Sequence, residues 1–177
     1  HRDAEHGTGV TRSEPFLTLN PDGKVPLLEL GDGRTLRESN AILTYFALGT
    51  GYLPDDRFAF ARTMQWMFFE QYSHEPAIAV RSGILAYDDR AHLRTADVLD
   101  PLLDKGHAAI ATMDRQLAQT PYLAGAAMTV ADICLYAYTH SAGAKGGFDM
   151  DRFPAVNDWL ARIAAHARHV PLDFIPD

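Results

Sequence analysis

A cation, a carboxylate and a hydroxyl lie close together in the chain: Lys24 stands just before Val25-Pro26, and Glu38 and Ser39 are neighbours a little further on. Lysine and glutamate form charge-assisted hydrogen bonds with groups of opposite charge, and the N-terminus of a helix favours anions. The same residue types serve equally as an ordinary helix cap and a solvated turn lysine. Which chemistry applies depends on the elements that position them.

Asn20-Pro21-Asp22-Gly23 is a cluster of turn formers, and a residue before proline is pushed toward extended backbone, so a loop ends at Val25. Val25 to Leu30 reads as a buried strand, Gly31-Asp32-Gly33 as a hairpin turn, and Arg34 to Glu38 as a short partner strand. Pro26 is tolerated at a strand's first position, and an X-Pro bond goes cis for only ~0.5–1 kcal/mol, which leaves open a cis turn with the Val25 peptide exposed. Ser39 reads as the N-cap of a helix whose apolar positions Ile42, Leu43, Phe46 and Ala47 follow the helical period.

The combined pattern Asn20-Pro21-x-Gly23-Lys24-Val25-Pro26, then Glu38-Ser39-x-Ala41-Ile42-Leu43-x-Tyr45, resembles the glutathione S-transferase family, from about Arg12 to the C-terminus. The resemblance implies an α+β, mainly α fold: a thioredoxin-like domain, incomplete in this chain, followed by an all-α helical bundle. It also implies a glutathione site. The main chain of Val25, beside a cis Pro26, would pair with the cysteinyl part of the tripeptide like an added strand. Ser39 at the helix N-terminus would take the γ-glutamyl carboxylate, Glu38 the ammonium and Lys24 the glycyl carboxylate.

A two-stranded hairpin with one helix is marginal by itself, so residues 1–49 read as part of a domain. In the family a strand, a helix and a second strand come first, and the Tyr, Ser or Cys that activates the thiol sits near the end of that first strand. The opening His1 to Gly9 is polar and reads as loop, so the activating residue is expected N-terminal to His1. Ser13 is the nearest candidate by position, but it precedes Glu14-Pro15-Phe16-Leu17, which matches the family's second helix.

Of the 177 residues, 47% are hydrophobic and 22% charged, which suits a globular protein with a real core. The formal charge of −7 with scattered Lys and Arg argues against a nucleic-acid partner. No apolar run approaches the ~20 residues of a membrane span and no secretory signal is visible, so a cytoplasmic location is expected. Cys134, the single cysteine, lies in an apolar helical stretch and reads as a buried small hydrophobe.

Gly49 to Pro54 reads as a linker, and an all-α domain is expected over 55–177. Asp55 or Asp56 can cap a helix running to about Ser73, with apolar positions from Phe58 to Tyr72 over a wide face and Trp66 on the far side. That surplus needs a second burial partner, and the resemblance implies a homodimer packed through this helix. His74-Glu75-Pro76 is expected to interrupt it. Family members often place the second-substrate pocket near here, which makes Tyr72, His74, Arg81 and Tyr87 candidates, while a solvated or capping role is the favoured reading of each. No metal is assigned, since the His-Glu-x-x-His pattern is not met: Ile78 stands at its last position.

Asp100-Pro101 reads as the start of the next helix, with Leu103, Gly106, Ile110, Met113 and Leu117 on its core face. Thr129-Val130-Ala131-Asp132 reads as a capping box, so Asp132→Ala should cost on the order of 1 kcal/mol or more. Phe153-Pro154 opens a last helix with a Val156, Leu160, Ile163, Ala167 stripe beside Trp159, and His169 to Asp173 reads as a non-helical tail. The activity implied is that of a glutathione transferase, conjugation of the glutathione thiolate to a small, apolar electrophile. Glutathione-dependent disulfide or peroxide reduction, and a non-catalytic binding or dimerisation module, share the same residues and stay open.

Overall fold

The structure, a computed structural model, describes residues 8–171 and Phe174; the expected loop over His1 to Gly7 and the tail positions Leu172 and Asp173 lie outside the described residues. The chain forms two compact units that divide between Gly49 and Thr50.

In the first unit, α1 (Glu14–Leu19) carries Pro15 in its first turn, where proline is tolerated, and is closed by Asn20 as its C-cap. Strands β1 (Leu27–Glu29) and β2 (Thr35–Arg37) pair antiparallel with Leu27 opposite Arg37 and Leu28 opposite Leu36. Both are shorter than the sequence suggests. Pro26 has no N–H to donate, so the ladder begins after it. At the other strand's end Glu38 turns out of extended geometry, with φ +69°. Gly33, at φ +83°, closes the hairpin, where Asp32 accepts from the Arg34 side chain at 2.8 Å. Helix α2 (Ser39–Ala47) follows directly.

The second unit is helical. Its first helix, α3 (Arg57–Phe69), is capped by Asp56, whose carboxylate accepts from the Ala59 N–H at 2.8 Å. The expected break at His74-Glu75-Pro76 is instead a π-helical segment, Glu70–His74, running into α4 (Glu75–Ala86). There the Glu75 N–H bonds the Glu70 carbonyl, and this wider turn absorbs the register change as Pro76 enters the first turn of α4. Trp66 and Met67 face the core, while Phe58, Phe68 and Tyr72 are exposed. The split reverses the expected placement of Trp66.

Helix α5 (Ala96–Leu117) begins before the expected Asp100-Pro101 start and carries Pro101 inside it. The Val98 and Leu99 N–H groups bond the Thr95 carbonyl, which opens the helix there. Pro101 removes only the bond to the carbonyl of Asp97, an exposed residue that water can serve. Gly106, Ile110, Met113 and Leu117 are buried as the spacing predicts.

Helix α6 (Val130–Thr139) opens with the expected capping box. After α7 (Ala142–Gly146), the last helix is α8 (Pro154–Ala164), which buries Val156, Trp159 and Ile163. Ala167 falls beyond its end and is exposed, so the expected stripe is one position shorter. The core centres on Ile78, Ile110, Met113, Leu123, Leu135 and Trp159, all without solvent exposure.

Gly106 is a notch for the Phe148 ring. A Cβ there would overlap the ring edge, so Gly106→Ala should destabilise the protein by about 1–3 kcal/mol through overpacking. Urea unfolding checks this, and an unchanged midpoint would mean that Phe148 can move aside.

Candidate functional site

All five residues singled out by sequence, Lys24, Val25, Pro26, Glu38 and Ser39, fall in the first unit and are exposed. The hairpin explains why they belong together. Leu27 pairs with Arg37, so Pro26 and Val25 leave the ladder at the same end as Glu38 and Ser39. An Arg37–Asp22 ion pair at 2.6 Å ties the two segments again just behind the site.

Each residue has a distinct local cause. The Val25–Pro26 bond is cis, and Val25 retains 55% of its surface accessible. Glu38 is the only non-glycine residue with positive φ among the described residues. Such a conformation is uncommon for a side chain that gains nothing from it locally, and such residues cluster at ligand-holding sites. It also moves the helix start by one residue. Glu38 occupies the N-cap position and Ser39, expected there, is the first helical residue. A residue at that position has a main-chain N–H with no intrahelical partner, so Ser39 offers both an amide and a hydroxyl at the positive end of α2.

In the sequence Asn20 is a turn former and the first residue of the family pattern, with no ligand contact of its own expected. In the structure it is buried to 1% exposure within an exposed loop. Its Oδ1 accepts from the Asp22 N–H at 3.1 Å and its Nδ2 donates to the Lys24 carbonyl at 2.6 Å. The sequence signal available was an asparagine two residues before an aspartate in a Gly/Pro turn, a pattern that favours side chain to main chain bonding.

The second-substrate candidates are not brought together. Tyr72, 88% exposed, lines a cavity of about 530 Å³ with Phe69, Pro76, Leu102 and Lys105. His74 is fully buried and bonded to Thr139, with burial holding its pKa down at about 3. Arg81 binds the carbonyls of Gly146 and Leu99 at 2.8 and 3.1 Å, and Tyr87 lies beneath the Arg90 guanidinium. Burial pushes the Cys134 thiol far up, consistent with a structural cysteine. Among the described residues no three His, Cys, Asp or Glu side chains group as metal ligands, and no helix is long and apolar enough to cross a membrane.

A hairpin and helix with a cis-proline loop, followed by an all-helical unit, is the fold of glutathione S-transferases. The N-terminal domain pattern of that family matches residues 4–48 and the C-terminal domain pattern residues 96–162. A crystal structure of a glutathione S-transferase from Pseudomonas fluorescens Pf-5 superposes with a TM-score of 0.88 and 48% identity, over 93% of this chain and 82% of that one. The structure of a sphingomonad glutathione S-transferase complexed with glutathione matches with a TM-score of 0.74 and 31% identity, over 88% and 75%. Among sequences, a glutathione S-transferase from Hyoscyamus muticus is 31% identical over 89% of this chain and 77% of its own length. The chain belongs to the glutathione S-transferase family.

Proposed function

We propose that this protein binds glutathione along Lys24, Val25, Pro26, Glu38 and Ser39 and conjugates it, through attack of its thiolate sulfur, to a small, apolar electrophile, the thiol proton leaving with the displaced group or adding to the product. The observation that carries the reading is Glu38: it adopts φ +69° at the mouth of α2, beside an exposed Val25 main chain. The tripeptide has two carboxylates and one ammonium, and the site offers a matching set. Ser39 at a helix N-terminus suits the γ-glutamyl carboxylate, Glu38 the ammonium, Lys24 the glycyl carboxylate, and the Val25 amide and carbonyl the cysteinyl peptide.

Conjugation needs the thiolate. A free thiol has a pKa near ~8.5, so at neutral pH only a few per cent is reactive, and a hydrogen-bond donor to sulfur raises that fraction. The residues named here hold the ends and the main chain of the tripeptide, and so fix where its sulfur lies. The protein acts as a cytoplasmic homodimer in this reading, and the exposed Phe58 and Phe68 of α3, with the exposed Tyr72 in the π-helical segment that follows, support a second copy as partner.

Calorimetry of the full-length protein tests the site. Glutathione should bind, and Glu38→Ala with Ser39→Ala should weaken it by ~1–3 kcal/mol through lost charge-assisted bonds. No binding at millimolar glutathione would sink the proposal. Turnover of a chlorinated aromatic rather than a glutathione mixed disulfide would separate transfer from reduction.

A further inference from the structure

We propose that Asn20 is a positioning residue that aims the Val25 N–H at the ligand, an inference that rests on the glutathione reading of this site. The loop from Asn20 to Pro26 has no strand ladder to hold it, because β1 starts only at Leu27. Within the loop Asn20 and Gly23 are buried while Pro21, Asp22, Lys24, Val25 and Pro26 are exposed.

Asn20 bonds through all of its polar groups. Its main-chain N–H donates to the Phe16 carbonyl at 2.8 Å, anchoring it to the end of α1, and its carbonyl accepts from Gly23 at 3.0 Å. Its side-chain oxygen accepts from the Asp22 N–H, and its Nδ2 donates to the Lys24 carbonyl at 2.6 Å. The last bond matters most. The Lys24 carbonyl and the Val25 N–H belong to one planar peptide unit, and in a trans peptide they point in opposite directions. Holding the Lys24 oxygen toward the buried Asn20 therefore turns the Val25 N–H outward, where Val25 is exposed.

The helix thus transmits its rigidity through one side-chain amide to one main-chain donor. The role is specific to the donor on Nδ2. An aspartate of the same shape keeps the acceptor for Asp22 but presents an oxygen to the Lys24 carbonyl, so the peptide unit is no longer held.

The test compares wild type, Asn20→Asp and Asn20→Ala in the full-length protein by glutathione calorimetry, thermal unfolding and the Val25 amide resonance. Both variants should raise the glutathione Kd on the order of tenfold at a temperature where they are fully folded, and shift the Val25 amide. Asn20→Ala provides the result if a buried aspartate prevents folding. Wild-type affinity in a folded variant overturns the positioning role alone. Loss of folding in both variants assigns Asn20 to stability only and also overturns it. Wild type that does not bind glutathione overturns the reading of the site on which the proposal rests.

Discussion

Asp132→Ala should lower the unfolding free energy by about 3–5 kcal/mol, more than a helix cap alone contributes, because several buried donors lose their acceptor together. The capping box is the local part. The Asp132 carboxylate accepts from the Thr129 N–H at 2.9 Å and the Thr129 hydroxyl at 3.2 Å. Two further donors come from elsewhere in the helical unit: the Leu123 N–H at 2.9 Å and the Trp159 indole N–H at 3.0 Å. Asp132, Leu123 and Trp159 are all without solvent exposure. Burial pushes the carboxyl above its ordinary value, and the four donors pull against that.

Alanine would leave those donors buried and unpaired, and each such group costs about 1–3 kcal/mol. Asp132→Asn keeps the shape and one oxygen, so its loss should be smaller. Urea unfolding of both variants checks the order, with glutathione affinity unchanged wherever the protein remains folded. A loss near 1 kcal/mol for alanine would reduce Asp132 to an ordinary cap.

The same residue shows where sequence stops being informative. The box is legible because Thr129 and Asp132 are three positions apart and helix geometry fixes how they meet. The Leu123 and Trp159 bonds span 9 and 27 residues and depend on how the connector before α6 folds back and where α8 places Trp159. In the first unit the hairpin and α2 were readable because proline, glycine and the turn residues act locally. The helix cap lies one residue before Ser39, the expected cap, because nothing in a glutamate's chemistry announces φ +69°. The burial of Asn20 was hidden for the opposite reason: its type predicted a turn, and turns usually lie in solvent.

Helix starts depended on the balance between local cost and solvation. Pro101 looked like a first-turn residue, but its cost within α5 is one bond at the exposed Asp97, too little to stop a helix that buries Gly106 to Leu117. Pro76 reads as a break but sits in the first turn of α4, because the i to i+5 bond from Glu75 to Glu70 keeps the chain helical just before it. Periodicity over α3 counted apolar residues without deciding which of them face inward. Trp66 took the core, and Phe58, Phe68 and Tyr72 were left outside.

Acid should weaken the fold through His74, at the end of that π-helical segment. The Thr139 hydroxyl donates to the Leu135 carbonyl at 2.7 Å, so its oxygen is left to accept from His74 Nε2 at 2.8 Å. The ring proton therefore sits on Nε2. The buried Nδ1 has no hydrogen-bond partner among the described residues, and a proton there would create an unpaired cation. Burial lowers the pKa from 6.5 to about 3. In the unfolded chain the same histidine protonates near 6.5, so between those values the unfolded state binds more protons and stability falls as pH falls.

From pH 7.5 to 5.0 the loss from this one group is about 2 kcal/mol, and it grows until the folded pKa is reached. Other groups titrate over the same range, so the measurement is a difference. His74→Gln removes the titrating ring and keeps a donor for Thr139, whatever its own cost in packing. Wild type should lose about 2 kcal/mol more than His74→Gln between the two pH values in urea unfolding. Parallel losses would mean that His74 accepts a proton in the folded protein and finds a partner for it.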